Sequence, residues 1–244
     1  MARRLSLMLR SPERGVSKHA QRRASAVALV VIAFLSSAAL AHESTLKIEG
    51  PADAYVYDLA PPGSYDLPRI GKAADAKLLD EDGKPVELAG LYQGRLTILT
   101  FMYLRCGDVC PIALTRMADL QLLASEDTAL AKQLQLISLS FDPAYDTPER
   151  MAEHGRAMRL PNAGAPDWRF LTSENAAAIA PVLKAYDQPV GRKTDPDDPS
   201  GPLAHLLRVF LVDGEGFIRN IYSADFLDPR LLMNDLKTLQ MEGG

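Results

Sequence analysis

The sequence predicts an α/β fold with a mixed central sheet flanked by helices, and three features of its hydrophobic pattern support this. Two continuous apolar runs, LTILTFMYL from Leu96 and LQLISLSF from Leu134, have the composition of strands buried on both faces. The first run is followed by a segment whose apolar residues recur at helical spacing, and the second by a segment with candidate helix caps. Two further apolar runs flank DGEG at 213–216, which is typical of a β-hairpin. Strands that alternate with helices and end in a hairpin indicate a mixed sheet in a single domain.

The first half of this domain is expected to contain a hairpin and two helices beside the buried strands. The turn residues EDGKP at 81–85 predict the hairpin. The segment PIALTRMADLQLLASEDTALAKQL predicts one continuous helix with Pro111 at its first position. After DPAYDTPER, a second helix is expected to run through His154, with Asp146 or Thr147 as its N-cap.

The second half is expected to contain a strand, two helices and the hairpin around DGEG. DWRFLTS, from Asp167, predicts the strand, and SENAAAIAPVLKAY predicts the next helix with Ser173 as its capping candidate. DQPVGRKTDPDDPSGP, from Asp187, is polar and rich in proline, which predicts a loop without a packed element. The DGEG hairpin is expected to begin at His205, and DPRLLMNDLKTLQ, from Asp228, to form the last helix.

The N-terminal segment has the organisation of an export signal. Residues 1–41 combine a basic leader, an apolar run that is short for a membrane span, and the small-residue end ALA before His42. Cleavage after Ala41 is expected, and the alternative is an N-terminal anchor that stays attached. Residues 42–77 are rich in Pro and Gly and predict an irregular lead-in, and residues 78–244 predict the folded domain.

The charge of the exported part argues against nucleic acid as a partner. The segment 1–41 carries seven of the 27 basic residues and one of the 31 acidic residues, which leaves 20 basic and 30 acidic residues and a formal charge of −10. Phosphate binding requires clustered positive charge. A domain of about 200 residues also has enough core to fold without a disulfide.

Both cysteines of the chain lie in one short stretch, YLRCGDVCP at 103–111, between the first buried strand and a helix. A redox pair, a metal site and a structural disulfide are three interpretations of this stretch. Export would place the thiols where disulfides can form. The N-terminus of a helix favours negative charge, so Cys110 is expected to have a depressed thiol pKa. Cys106 and Cys110 alone do not decide among the three interpretations.

The four histidines help to choose among these interpretations. His19 lies in the leader, and His42, as a new N-terminus, offers only a weak metal chelate through its free amine and its imidazole. His154 lies on a predicted helix, where a core or surface histidine is the ordinary role. His205 begins a strand that is expected near the end of the cysteine-bearing strand. Two sulfurs and one imidazole suit copper as Cu(I) and Cu(II), whereas structural zinc normally takes a fourth ligand.

Three stretches, in the same order and spacing as in a known family, carry a resemblance. They are CGDVCP at 106–111, FDPAYDTPERM at 141–151, and His205 followed by LLRVFLVDGEG. In them the chain resembles the SCO/SenC copper-delivery proteins. The resemblance implies a thioredoxin-like fold, with Cys106, Cys110 and His205 as copper ligands. It also implies maturation of the binuclear copper centre of a respiratory haem–copper oxidase, by delivering copper or by keeping the receiving cysteines reduced.

The resemblance also implies partners and a location. The expected partners are the copper-receiving subunit of the respiratory oxidase, and other copper carriers or thiol reductases. The protein is expected in the periplasm or on the outer face of the inner membrane, with a membrane tether if residues 1–41 stay attached. A metallochaperone is favoured over an enzyme. The alternative is a thiol–disulfide oxidoreductase that uses Cys106 and Cys110 as its redox pair, although thioredoxin-type enzymes use C-x-x-C and this spacing is one residue longer.

Three places near the site depart from the family pattern. Gly107 follows the first cysteine where Pro is common, and Leu104 and Arg105 precede it where Thr and His are frequent. Ala204 precedes the histidine where Asp is common. Gly107 is expected to make the cysteine loop more flexible. Because Ala204 offers no charge or hydrogen bond, His205 is expected to be poorly supported and to close over the site only when copper arrives.

Overall fold

The computed structural model of this protein describes residues 57–162, 164–195 and 197–243. The expected signal or anchor at 1–41, with His19 and His42, lies outside these residues. Within the part of the chain that is described, no helix is both long and apolar enough to cross a membrane.

The described residues form ten strands and six α-helices. The strands are β1 (Gly71–Lys72), β2 (Lys77–Leu79), β3 (Pro85–Glu87), β4 (Leu96–Met102), β5 (Leu134–Ser140), β6 (Asp167–Leu171), β7 (Val190–Arg192), β8 (Leu203–His205), β9 (Arg208–Val212) and β10 (Phe217–Ser223). The helices are α1 (Leu88–Tyr92), α2 (Val109–Ser125), α3 (Thr128–Gln133), α4 (Pro148–Met158), α5 (Ala176–Ala185) and α6 (Pro229–Glu242). A 3₁₀ turn, Ala224–Phe226, precedes α6.

Six of the strands form the central sheet, in the order β1–β10–β9–β4–β5–β6. β4 and β5 are parallel, from Leu96 opposite Leu134 to Met102 opposite Ser140, and β6 runs parallel beside β5. β9 lies antiparallel on the other side of β4, with β10 and β1 antiparallel beyond it. The sheet is therefore mixed, and the predicted α/β fold class is confirmed.

The two central parallel strands determine where functional side chains can meet. The side chains of β4 and β5 are buried along nearly the whole of each strand, as their continuous apolar runs predict. Because the two strands are parallel, the segments that follow them, 103–108 and 141–147, leave the sheet at the same edge. Residues that are far apart in sequence are thereby brought to one end of the domain.

The cysteine-bearing helix differs from the single long helix that the sequence predicts. α2 begins at Val109, so Pro111 is its third residue rather than its first. α2 and α3 are separate helices. Asp127 produces the break, because its carboxylate accepts hydrogen bonds from the amides of Ala129 and Leu130, both at 3.1 Å, and so caps a new helix.

The predicted helix caps are only partly correct. Thr147 occupies the N-cap position of α4, but its side chain makes no capping hydrogen bond. Asp146 does not cap α4 and accepts a hydrogen bond from the amide of Leu104 instead. Asn175, rather than Ser173, caps α5 by accepting a hydrogen bond from the helix amide of Ala178 at 3.0 Å. The capping rule thus located the start of each helix but did not always select the residue that caps it.

The polar segment from Asp187 contributes to a further hairpin and is not a loop without packed structure. β7 pairs antiparallel with β8, with Val190 opposite His205. His205 therefore ends β8, and the hairpin around DGEG begins at Arg208. The turn is held locally, since the Asp198 carboxylate accepts hydrogen bonds from the Ser200 amide at 2.8 Å and its hydroxyl at 2.6 Å.

The EDGKP turn joins β2 to β3, as the sequence predicts. The described part of the lead-in, which the sequence predicts to be irregular, is attached to the domain by strand pairing and by a side-chain hydrogen bond. β1 pairs with β10, and the Tyr65 hydroxyl donates a hydrogen bond to Asp235 at 2.6 Å. Asp235 also accepts hydrogen bonds from Tyr222 at 2.6 Å and Asn220 at 2.8 Å. Burial and the contact with Asp235 raise the pKa of Tyr65 to about 12.

Candidate metal centre

The cysteine-bearing segment leaves β4 and turns directly into α2. The Cys106 amide donates a hydrogen bond to the Tyr103 carbonyl at 3.2 Å, which closes the turn. The Cys110 amide, in the first turn of α2, points to Cys106 Sγ at 3.5 Å. Both side chains are buried and both thiols are free. The turn therefore places the two sulfurs together at the N-terminus of α2.

His205 approaches the same two sulfurs from β8. Its Nε2 lies 3.3 Å from Cys110 Sγ and 3.8 Å from Cys106 Sγ. The three atoms all lie within 4.8 Å of one another, and the described residues contain no other group of three Cys, His, Asp or Glu side chains so arranged. The structure thus brings together all three residues that the sequence selects as candidate ligands.

The His205 ring is held by its own surroundings. Its Nδ1 lies 3.3 Å from the carbonyl oxygen of Leu206. A carbonyl can only accept, so in the neutral ring Nδ1 carries the proton and Nε2 presents its lone pair to the sulfurs. Support of this kind orients a ligating imidazole. The expectation that His205 is poorly supported because Ala204 precedes it is therefore wrong, since the residue on the other side supplies the acceptor.

Two aromatic rings form the inner wall of the site. The ring of Phe141, after β5, lies 4.9 Å from that of His205, and the ring of Tyr103, after β4, lies 5.9 Å away. Phe141 and Tyr103 also contact each other, with their centroids 5.2 Å apart. Both rings are buried. They limit the movement of the imidazole and exclude water from its inner side.

The two thiols differ in acidity, in the opposite sense to the prediction for Cys110. The hydrogen bond from the Cys110 thiol lowers the pKa of Cys106, and contacts with His205 and the amides of Asp108 and Cys110 add to this against the effect of burial. The same sulfur–sulfur hydrogen bond, together with burial, raises the pKa of Cys110. The helix N-terminus acts on Cys106, because the Cys110 amide points to the Cys106 sulfur. Cys106 is therefore the more acidic of the two thiols and Cys110 the less acidic one.

Asp146 is a component of the site region that the sequence assigned to a different role. Its side chain is fully buried, and its Oδ2 accepts hydrogen bonds from the Leu104 amide at 3.1 Å and the Ser140 hydroxyl at 2.5 Å. Burial raises its pKa to about 6. Its charge contributes to the raised pKa of Cys110. Asp146 thus joins the segment after β5 to the start of the cysteine turn.

Two of the residues that depart from the family pattern, Arg105 and Gly107, have structural roles. Arg105 forms an ion pair with Asp142 at 2.7 Å and lies over the ring of Tyr145 at 4.4 Å. The Gly107 amide donates a hydrogen bond to the Ser200 carbonyl at 3.2 Å, so Gly107 is anchored to the neighbouring segment. The expectation of a more flexible cysteine loop at Gly107 stays a prediction, with this hydrogen bond as the contact that opposes it.

His154 takes no part in this site. Its ring packs edge-on against Phe170 in the domain, with centroids 5.7 Å apart, and its Nε2 is buried without a hydrogen-bond partner among the described residues. Burial lowers its pKa. The sequence interpretation of His154 as a structural histidine is consistent with this position.

Comparison with known proteins gives a family and a fold. Residues 71–240 match the family model SCO1/SenC. A protein of Stutzerimonas stutzeri, named for copper binding, is 34% identical over 85 residues, which cover 35% of this chain and 40% of that relative, so the match spans less than half of its length.

Solved structures extend the likeness over most of the domain. Arabidopsis thaliana ScoI with copper bound is 21% identical, with a TM-score of 0.59, over 70% of this chain and 99% of that one. BsSco is described as having a disulfide switch and as a member of the Sco family of cytochrome c oxidase assembly proteins. It is 22% identical, with a TM-score of 0.52, over 75% of this chain and 97% of that one. At these identities the structural likeness concerns the fold.

The structure has a thioredoxin-like fold with two free thiols and an imidazole grouped at one end of its sheet. The chain belongs to the SCO1/SenC family, as the match over residues 71–240 shows.

Proposed function

We propose that this protein binds copper, as Cu(I) and Cu(II), through Cys106, Cys110 and His205. The observation that carries the proposal is the convergence of two Sγ atoms and one Nε2 within 4.8 Å of one another. Thiolate sulfur suits Cu(I), and an added imidazole nitrogen suits Cu(II). The relative named for copper binding and the copper-bound ScoI structure support this choice of metal. A structural zinc site normally has four ligands, and the described residues supply three.

The acid–base state of the three side chains suits reversible binding. The lowered pKa of Cys106 favours its thiolate, and the contact of His205 Nδ1 with the Leu206 carbonyl directs Nε2 of that ring to the sulfurs. Cys110 keeps its proton until a metal displaces it, which makes affinity dependent on pH. His205 is half-buried beside the exposed residues Ala204 and Leu206, so one side of the site faces solvent. A ligand from a partner protein can reach the site from that side.

The physiological role we propose is maturation of the binuclear copper centre of a respiratory haem–copper oxidase. Membership of the SCO1/SenC family supports this role, as does the description of BsSco as belonging to a family of cytochrome c oxidase assembly proteins. The protein acts on the copper-receiving subunit either by passing copper to it through thiol exchange or by reducing its cysteines. Mixing the copper-loaded protein with the metal-free receiving domain, and separately the reduced metal-free protein with the oxidised domain, distinguishes the two.

Location and domain limits follow from the N-terminal pattern. We propose that residues 1–41 direct export to the periplasm and are cleaved, or remain as a tether to the outer face of the inner membrane. Residues 42–77 then connect this segment to the copper-binding domain at 78–244. Intact mass of the exported protein tests the proposal. A chain that begins at His42 supports cleavage, and a retained leader supports the tether.

The test of the metal site compares single variants of the exported protein. The wild type is expected to bind one copper per chain, and Cys106→Ser and Cys110→Ser to lose binding of both ions. His205→Ala is expected to lose the thiolate-to-Cu(II) absorption band and to keep measurable Cu(I) binding, because two thiolates suffice for Cu(I). His154→Ala is the matched control, since that histidine lies outside the site. An unchanged Cu(II) spectrum in His205→Ala contradicts the three-ligand site.

The second candidate function is thiol–disulfide exchange, and the unequal acidity of the thiols favours it. Cys106, with its lowered pKa, is the attacking thiolate, and Cys110 is placed to resolve the mixed disulfide by attacking the Cys106 sulfur. Insulin reduction by the metal-free protein, compared with Cys110→Ser and His205→Ala, tests it. Activity that survives His205→Ala, without copper binding in the wild type, assigns the protein to this class.

A further inference from the structure

The Tyr103 hydroxyl connects the cysteine segment to the hairpin that carries His205. Tyr103 is buried, directly after β4 and three residues before Cys106. Its hydroxyl oxygen lies 2.9 Å from the carbonyl oxygen of Leu203 and 3.3 Å from the amide of the same residue. A hydroxyl donates and accepts, so it can satisfy both backbone groups. The carbonyl of Ser200 lies within reach as well, at 3.3 Å.

We propose that Tyr103 is a positioning residue for His205. Its hydroxyl fixes the first residue of β8, and its ring packs edge-on against the imidazole at the end of the same strand. The His205 Nε2 is thereby held at the two sulfurs before a metal ion arrives. The inference rests on the proposed copper site, which it refines by assigning the preorganisation of the nitrogen ligand to one side chain.

The size of the hairpin explains why this attachment matters. β7 and β8 have three residues each, and among the described strands they pair only with each other. An isolated two-stranded hairpin is marginally stable at best in water. Its position over the cysteines therefore depends on contacts with the main sheet. Tyr103 provides one at Leu203, and Gly107 provides a second at Ser200.

A glycine on the hairpin side supports the same conclusion independently. Gly201 is buried and has a φ of +95°, a backbone conformation that residues other than glycine rarely adopt. A Cβ at Gly201 would collide with the Tyr103 hydroxyl and with the carbonyl oxygen of Arg105. Only glycine lets the backbone close over the hydroxyl at this point. The close packing of the hairpin on Tyr103 therefore depends both on the hydroxyl of Tyr103 and on the absence of a side chain at Gly201.

The variant that tests the proposal is Tyr103→Phe, which removes the hydroxyl and keeps the ring against His205 and Phe141. Cu(II) affinity is expected to fall about 10–100-fold, the usual loss when the support of a ligating residue is removed. Cu(I) affinity is expected to change far less, because two thiolates hold that ion. Tyr92→Phe is the matched control: it removes a buried hydroxyl bonded to Tyr186 at 2.9 Å, away from the site.

A double-mutant cycle with His205→Ala separates positioning from a general loss of stability. The cycle is measured with Cu(I), which His205→Ala still binds: if Tyr103 acts through His205, the smaller effect of Tyr103→Phe on Cu(I) affinity disappears once the imidazole is gone. A metal-free measurement completes the test. Amide hydrogen exchange at Leu203 and His205 is expected to accelerate in Tyr103→Phe and to remain unchanged in Tyr92→Phe. Gly201→Ala displaces the Tyr103 hydroxyl from the hairpin side. It is expected likewise to lower Cu(II) affinity much more than Cu(I) affinity.

Three results overturn the inference. They are an unchanged Cu(II) affinity in Tyr103→Phe, an equal loss for Cu(I) and Cu(II), and a loss that persists in the His205→Ala background. Failure of the proposed function is recognisable separately. In that case the wild type binds no copper, while accelerated exchange at Leu203 in metal-free Tyr103→Phe still supports the positioning of His205.

Discussion

A Cβ atom on Gly107 would lie 2.8 Å from the carbonyl oxygen of Pro199, closer than non-bonded atoms allow. The residue after the first cysteine is thus determined by the approach of a neighbouring segment. The family proline at this position would also lack the amide hydrogen that binds Ser200. Gly107 and the hairpin that carries His205 are therefore matched to each other.

Gly107→Ala is expected to destabilise the fold by about 1–3 kcal/mol, because the hairpin backbone must move to admit the methyl group. Gly191→Ala is the matched control: it lies on the same hairpin, and a Cβ added there would meet no atom of the described residues within 4 Å. That substitution is expected to change stability by less than about 0.5 kcal/mol. Urea unfolding of both variants provides the measurement. Equal effects at the two glycines contradict the packing role of Gly107.

Oxidation in air is expected to join Cys106 and Cys110 in a reversible disulfide and to abolish uptake of Cu(I). The two sulfurs lie within 4.8 Å of each other, and the thiolate form, which binds the metal, is lost from both at once. Thiol titration and Cu(I) competition before and after reduction measure the effect. Recovery of Cu(I) uptake when the oxidised protein is reduced again is the control for other, irreversible oxidative damage. Equal Cu(I) binding by the oxidised and reduced protein excludes the cysteines as ligands.

The buried carboxylate of Asp146 is expected to make the fold less stable as the pH rises from about 4 to about 7. Burial raises its pKa from 3.8 to about 6, so the folded protein holds this proton more tightly than the unfolded chain. The stabilisation is complete below pH 3.8 and is lost as the pH passes through about 6. Two pKa units correspond to about 3 kcal/mol. Asp146→Asn removes this titration, so its stability relative to the wild type should increase over that range. If the stabilities of Asp146→Asn and of the wild type change in parallel with pH, the raised pKa of Asp146 is contradicted.

His154 is expected to produce the opposite dependence. Burial lowers its pKa below the ordinary 6.5, so the folded state favours the neutral ring. Its contribution is present above pH 6.5 and is lost as the pH falls through the lower folded-state value. His154→Phe keeps a ring against Phe170 and removes the buried Nε2. The variant should lose less stability than the wild type on acidification. If His154→Phe and the wild type lose stability equally on acidification, the prediction is contradicted.

The parts of the molecule that local pattern determines were predictable. The apolar runs at β4 and β5 are strands because both of their faces are buried, and the composition of each run shows this directly. The candidate site was predictable for a similar reason. Cys106 and Cys110 are neighbours in sequence, and His205 belongs to one of the few segments that could reach them.

The features that sequence did not reveal depend on contacts between distant segments. Asp146 fits the rule for a helix N-cap, and only the folded structure shows that Leu104 and Ser140 engage its carboxylate. The pKa of Cys110 was predicted from the helix end alone. In the structure, the hydrogen bond to Cys106 outweighs that effect. A signal for Asp146 was present, because the residue lies in one of the stretches that carry the family resemblance.

The sequence separation of the three side chains has a thermodynamic consequence. His205 lies 95 residues from Cys110, while the two cysteines are four residues apart. Unfolding therefore removes the imidazole but leaves a dithiol that still attracts Cu(I). A ligand that also binds the unfolded chain protects the native state less than its affinity implies. At equal affinity, Cu(II) should raise the melting temperature more than Cu(I). The oxidation state of the bound ion therefore also sets how strongly copper stabilises the folded protein.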